Sequence, residues 1–159
     1  MNPSRLIRIV TILILMTGPV AADTVTLQQA VDLRQLGERA EKRGIPILLM
    51  VSQYHCGFCE RMKQEVLHPM LLSGDYSDQV LIRELLIDPG ETLTNFAGRP
   101  EAAESFSSRY QVRVTPTLLF LDGKGNEMAE RIRGINTVDY LLFYIEDAIE
   151  TATRKMADR

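Results

Sequence analysis

The only two cysteines in the 159-residue chain lie three apart, in Cys56-Gly57-Phe58-Cys59. A pair at this spacing supports three chemistries. If Cys56 opens a helix, unpaired backbone N–H groups and the helix dipole stabilise its thiolate. Cys59, one turn further in, is then placed to attack a mixed disulfide formed at Cys56 and release whatever was bound there. Gly57 leaves the approach to the sulfur open. As a purely structural disulfide the pair closes a loop of a few residues, which removes little unfolded-state entropy. As a metal site it lacks partners: His55 and His68 are the only histidines. His55 is too close to Cys56 along the chain to share a tetrahedral ion with it, and the acidic residues show no zinc-ligand spacing. The strand-then-helix context around the pair favours redox chemistry.

The elements that must position the pair follow from the hydrophobic pattern. Leu27, Ala30, Val31, Leu33, Leu36 and Ala40 recur at near-helical spacing, predicting an amphipathic helix over Thr26 to Arg43 that stops at Gly44. Ile45 to Val51 is a continuous apolar run, suited to a strand buried on both faces. A helix follows from Cys56 to Leu67, and Pro69 is expected to end it and start a second, short one. Val80 to Ile87 predicts another inner strand. The polar stretch from Asp88 to Arg99 is long for a compact domain and is expected to be a surface loop or cover, with Phe96 as its anchor. Pro100 to Arg109 predicts a short helix and Thr117 to Leu121 a third strand. Asp122-Gly-Lys-Gly-Asn126 is a hairpin signal leading into Glu127 to Arg133. After Gly134, Val138, Leu141, Leu142, Ile145, Ala148 and Ile149 mark a C-terminal amphipathic helix. Strands separated by helices call for a parallel inner sheet covered on both faces, and the late hairpin adds an antiparallel edge. The class is α/β, with a mixed central sheet.

Composition bounds the function. Apolar residues make up 45% and charged residues 25% of the chain, enough for a real core and unlike a disordered sequence. A formal net charge of -3 argues against the basic footprint of nucleic-acid binding. Residues 1–22 have basic Arg5 and Arg8, an apolar run from Ile9 to Met16, and small residues up to Ala22. That order reads as a secretory signal peptide cut after Ala22, leaving residues 23–159 as one domain. The alternative, a retained anchor, is disfavoured because the run falls well short of the about 20 residues that span a bilayer. Export places the pair in an oxidising compartment, where close cysteines form a disulfide unless something reduces them.

Val114-Thr115-Pro116-Thr117, just before an apolar strand, is the second signal. A proline there alone reads equally as an ordinary strand-edge residue. With the cysteine pair, however, the chain resembles the thioredoxin superfamily: apolar strand, Cys-x-x-Cys opening a helix, strand, helix, proline, hairpin, Gly134 and a final helix, over about Ile45 to Ile149. Cys-Gly-Phe-Cys-Glu60 with Glu65-Val-Leu67, the long stretch after Asp88, and Tyr110-x-Val-x-Val-Thr-Pro-Thr-Leu-Leu-Phe-Leu-Asp-Gly123 are similar to its exported, periplasmic branch. That branch includes the Sox-associated thioredoxins and the C-terminal domain of the membrane thiol-disulfide transporter.

The resemblance implies a thioredoxin fold and a thiol-disulfide oxidoreductase with no cofactor beyond its own dithiol. It makes Cys56 the attacking thiol, Cys59 the resolving thiol and Pro116 a cis residue facing them. It also implies that the Thr115 backbone pairs with an extended client segment and that Gly134 borders the groove. Thioredoxin itself has Trp before the first cysteine, Gly-Pro between the two, and a buried Asp six residues before the first that is thought to help deprotonate the resolving thiol. Here those places hold His55, Gly57-Phe58 and Met50. Glu60 or water are substitutes for that acceptor, although a Glu beside Cys59 reads more readily as a solvated helix residue. His55, when protonated, favours a neighbouring thiolate, or is simply an exposed loop residue. Phe58 reads as a lip that meets client proteins, because the family's intervening dipeptide is exposed, or else as a residue packed on the loop.

Exported isomerases share Cys-Gly-aromatic-Cys and Thr-Pro but carry a separate dimerisation domain, whereas only Asp23 to Gly44 precede Ile45. Exported oxidases carry a large helical insertion, for which Asp88 to Arg99 is too short. A monomeric reductase of client proteins, supplied by a membrane electron donor, is the leading expectation. Isomerase or oxidase activity, and a noncatalytic binding module on the same fold, are the alternatives.

Overall fold

A computed structural model describes residues 26–135 and 138–159. The leader expected at 1–22 lies outside the described residues, and among these no helix is long and apolar enough to cross a membrane. The elements are α1 (Leu33–Arg43), β1 (Ile47–Ser52), α2 (Gly57–Met62), a π-helical turn (Lys63–Leu67), α3 (His68–Ser73), β2 (Leu81–Leu86), β3 (Thr92–Thr94), β4 (Pro100–Ala102), α4 (Ala103–Arg109), β5 (Thr117–Leu121), β6 (Ile132–Arg133) and α5 (Val138–Ala157).

The main sheet runs β2-β1-β5-β6. All of β1 and β5 is buried, which is why both are continuous apolar runs. Alternation along β1 sends Leu48 and Met50 into one apolar cluster with Cys59, Met62, Leu67 and α5's Ile145 and Ile149. Ile47, Leu49 and Val51 point into the other, with α1's Leu33 and Leu36 and α4's Phe106. The sheet is therefore covered on both faces.

Only β1 and β2 are parallel; β5 is antiparallel to β1, with Thr117 opposite Val51 and Leu121 opposite Ile47. This corrects the expectation of a parallel inner sheet. After β2 the chain passes through the β3–β4 ribbon and α4 and re-enters the sheet at the end where β2 leaves it, Leu86 lying beside Ser52 and Thr117 beside Val51. The hairpin after β5 forms, with Asp122 N–H donating to Asn126 C=O at 3.0 Å and Leu121 bridging Glu127. Its second strand is short, regular only at Ile132–Arg133.

Three other expectations are revised. The first helix begins at Leu33, where the Asp32 carboxylate accepts from Gln35 N–H at 2.8 Å and caps it. Residues 28–30 run instead as an extended strap along β2, with Ala30 N–H donating to Glu84 C=O at 2.7 Å and Glu84 N–H to Gln28 C=O at 3.0 Å. An open strand edge offers such partners, and they outcompete helix periodicity. Pro69 does stand in the first turn of a short helix, α3, but it does not end the one before it: the helical path continues through the π-helical turn into α3. The wider turn removes the demand for an N–H that proline cannot supply. Asp88 to Arg99 is not structureless, since β3 pairs with β4 in a two-stranded ribbon and pushes the start of α4 to Ala103. Leu93 and Asn95 of this segment are buried, and Phe96 is its anchor, packing on Phe106 with ring centroids 6.2 Å apart.

One close approach locks α1 to the hairpin. A Cβ on Gly37 would collide with the Gly123 carbonyl oxygen, so only glycine permits this helix-to-turn contact.

Candidate active site

Cys56 and Cys59 are joined as a disulfide at the start of α2. Cys56 is the N-cap: its backbone is extended, its C=O accepts from Cys59 and Glu60 N–H at 3.0 and 3.1 Å, and its Sγ accepts from Cys59 N–H at 3.1 Å. Local sequence explains this. A buried central strand delivers the chain to one end of the sheet, Gln53 to His55 turn it outward, and Gly57 enters the helix with nothing within 4 Å of where its Cβ would be. Cys56 is half-buried and Cys59 has no exposed surface. The two sulfurs thus differ sharply in access. Among the described residues, no group of three or more His, Cys, Asp and Glu is arranged to hold a metal ion.

Thr115 and Pro116 stand at the same end of the sheet, since Thr117 follows them opposite Val51. The Thr115–Pro116 bond is cis and Pro116 is buried. Thr115 Oγ1 donates to Gln53 Oε1 at 3.1 Å, tying this corner to the loop that precedes the cysteines. Gly134 N–H donates to Pro116 C=O at 2.8 Å, which places Gly134 beside the proline. Phe58 is 62% and Val114 51% exposed, an apolar rim around a polar backbone corner.

His55 is exposed and makes no hydrogen bond to a described residue. Glu60 is exposed at the helix surface but pairs with Lys63, whose Nζ lies 2.5 Å from Glu60 Oε1 and 3.2 Å from Glu84 Oε1. Burial alone would lower the Lys63 pKa, but the two carboxylates outweigh it and raise the pKa above the ordinary lysine value.

Three acidic residues and a tyrosine escape a reading of the sequence. The Tyr54 N–H donates to Asp88 Oδ2 at 3.0 Å and its hydroxyl to Glu91 Oε1 at 2.7 Å. The Glu91 contact, with further negative charge from Asp88 and Glu84, raises the Tyr54 pKa above the ordinary value. Glu84 sits on β2 opposite Met50 and is buried. Its one visible signal is a carboxylate inside the apolar run Val80 to Ile87, and nothing in the run says what it meets.

Residues 34–149 match the family model of the thioredoxin-like domain. The fold is similar to thioredoxin from Fasciola hepatica, with TM-score 0.51 and 17% identity, covering 78% of this chain and 97% of that one. It is similar to mitochondrial thioredoxin 3 from Saccharomyces cerevisiae in its oxidised form, with TM-score 0.52 and 15% identity over 78% and 93% of the two chains. Thioredoxin f2 from Chlamydomonas reinhardtii gives TM-score 0.53 and 16% identity over 77% and 95%. No curated protein sequence matches. A fold with this strand order, two cysteines bonded at the mouth of α2 and a family match across most of its length have one assignment: the chain belongs to the thioredoxin-like domain family.

Proposed function

We propose that the protein is an exported, periplasmic thiol-disulfide oxidoreductase of the branch that includes the Sox-associated thioredoxins, and that it reduces disulfides in client proteins. The observation that carries this reading is the asymmetry of the pair: an accessible Cys56 at the N-cap of α2 and a fully buried Cys59 one turn inside it, already bonded to each other. In the reduced protein the backbone N–H groups at the start of α2 favour the Cys56 thiolate. That thiolate attacks a client disulfide, forming a mixed disulfide and releasing one client thiolate. Cys59 then attacks Cys56 Sγ, closes the pair and frees the second client thiol.

An extended client segment runs beside Thr115, with Gly57, Phe58, Pro116 and Gly134 lining the approach. His55 is a candidate modulator of the Cys56 thiolate. A dithiol donor in the membrane restores the reduced pair, and the leader is removed after Ala22. The enzyme acts as a monomer and needs no cofactor beyond its own dithiol.

Insulin reduction in the presence of dithiothreitol tests the activity. The wild-type protein accelerates it and Cys56→Ser does not. A noncatalytic binding module accelerates it in neither form. Direction is read from the reduction potential: roughly −270 mV, the thioredoxin range, supports a reductase, whereas roughly −120 mV, the range of a strong oxidase, overturns that direction.

A further inference from the structure

The last helix, α5, presents apolar side chains on two faces, and the fold covers only one. Leu141, Ile145, Ala148, Ile149 and Ala152 recur at helical spacing and share a core cluster with Leu48 of β1 and Phe120 of β5. That stripe is enough to seat a helix on a sheet. Tyr140, Leu142, Phe143 and Tyr144 stand outside it. The three rings are between 57% and 63% exposed, and Leu142 is exposed as well. Phe143 and Tyr144 meet edge to face with ring centroids 5.8 Å apart, so they pack on each other while staying open to water. Four large apolar side chains within five residues, all left in water, are a liability that a globular domain avoids unless something covers them.

These rings border two depressions. Phe143 lines a groove of about 880 Å³ between α5 and the turn at residues 75–79. Tyr144 lines a smaller one of about 270 Å³ against residues 129–132, and Asp147 lines both. The apolar lining of the larger groove is Ile45, Tyr76, Phe143 and Ile149; its charged lining is five carboxylates against one guanidinium, Arg154. Part of that charge is answered within the fold. Asp78 pairs with Arg43 at 3.0 Å, Glu150 with Arg154 at 3.5 Å, and Glu146 accepts from the Tyr76 hydroxyl at 2.6 Å. Asp75 and Asp147 have no cationic partner among the described residues. The surplus is felt locally: the hydrogen bond to Glu146, with burial and the charges of Glu146 and Asp75, pushes the Tyr76 pKa up to about 12.

We propose that this face of α5 docks a cationic segment of a partner protein, one that sets Lys or Arg beside the carboxylates and lays an apolar side chain against Phe143. The two chemistries belong together, because the stems of Lys and Arg pack on apolar surface and a guanidinium stacks on an aromatic face while its charge meets a carboxylate. The sign of the charge decides against other occupants. An anionic lipid surface is repelled by this lining. A second copy is disfavoured as well: an antiparallel pairing of two α5 helices centred on Phe143 sets Asp147 against Asp139, with like charges opposed. The face shares no residue with the cysteine pair, the Thr115–Pro116 corner or Gly134, so the proposal goes beyond the oxidoreductase reading and stands or falls without it.

Amide NMR of the isotope-labelled full chain tests it. The probe is a short synthetic peptide of alternating Arg and Leu closed by Phe; the control carries Glu in place of every Arg. The Arg peptide should shift the amides of α5 around Phe143 and those of residues 75–79, with a dissociation constant below about 1 mM, and the Glu peptide should leave them in place. Phe143→Ser should weaken binding by about tenfold or more, as removal of a central aromatic anchor does. Asp147→Lys should weaken it by about threefold or more and flatten its dependence on salt. Both side chains are exposed, so neither change touches the core, and either variant alone decides. Absence of α5 shifts at about 1 mM Arg peptide, equal binding of the Glu peptide, or affinity unchanged in both variants overturns the proposal. Shifts of the same amides by phosphatidylglycerol vesicles assign the face to a membrane, and a dimer in sedimentation that Phe143→Ser abolishes assigns it to a second copy. Either result also overturns the proposal.

Discussion

The backbone N–H of Tyr54 donates to the Asp88 carboxylate at 3.0 Å, so the residue two places before Cys56 is clasped to the segment just beyond β2. The Tyr54 hydroxyl adds a second fastening at Glu91. The loop that leads into Cys56 is therefore held by residues far from it in the chain. Asp88→Ala should release it, lowering kcat/KM for insulin reduction by about tenfold through misplacement of Cys56 and lowering stability by about 1 kcal/mol. Urea unfolding and steady-state kinetics on the same preparation check both numbers; unchanged kinetics would show that the clasp is not needed for positioning.

The two cysteines should differ in every assay of access. In the reduced protein Cys56 is alkylated far faster than Cys59, because rate follows thiolate fraction and exposure. Cys56→Ser abolishes turnover. Cys59→Ser leaves the first attack and accumulates client proteins as mixed disulfides on Cys56, released by dithiothreitol and visible on non-reducing gels. Trapping on Cys59 instead would reverse the assignment.

Asp122 gives a pH dependence with a definite sign. Burial alone would push its carboxyl up. Hydrogen bonds from the Asn126 side chain and from the Asn126 and Lys124 N–H groups, with Arg159 beside it, outweigh that and hold it below the usual carboxylate range. A depressed folded-state pKa contributes stability that is present above the unfolded value of about 3.9 and is lost as pH falls through the folded value. Asp122→Ala should cost about 2 kcal/mol at pH 7. The gap to wild type should narrow in urea titrations as pH drops below 4, on the order of the unfolded carboxylate value.

Packing at the far end of the sheet is equally testable. Gly37→Ala forces a methyl into the Gly123 carbonyl and should destabilise by about 1–3 kcal/mol, as overpacking does. Phe96→Ala, which removes a half-buried ring from Phe106, should cost about 2 kcal/mol. Neither change should alter the reduction potential of the cysteine pair, measured against glutathione, because both lie at the opposite pole of the fold.

The parts of the fold that rest on one stretch of chain are legible in the sequence. β1 and β5 are apolar throughout because both their faces are covered, and the Asp122 to Asn126 turn carries its own chemistry. The cysteine pair and the proline before β5 are visible from spacing and order. What escapes is whatever depends on meeting a distant partner. The Gln28–Ala30 strap is apolar-periodic like a helix but finds the edge of β2 some fifty residues on. Thr92–Thr94 is polar and short until Pro100–Ala102 pairs with it. Glu84 has meaning only once Lys63 and Met50 stand beside it, and Asp88 only once Tyr54 does.

That same strap has a further effect on how copies of the protein behave in a crowded solution. A sheet ordinarily presents two rows of unpaired peptide groups, each a template on which a stray chain can add itself and begin aggregation. Here the strap occupies part of the β2 row, and on the other side β6 is regular over only Ile132–Arg133. Neither margin offers a long docking rail, so the molecule can expose apolar Phe58 and Val114 beside the cysteine pair without also inviting strand-by-strand accretion.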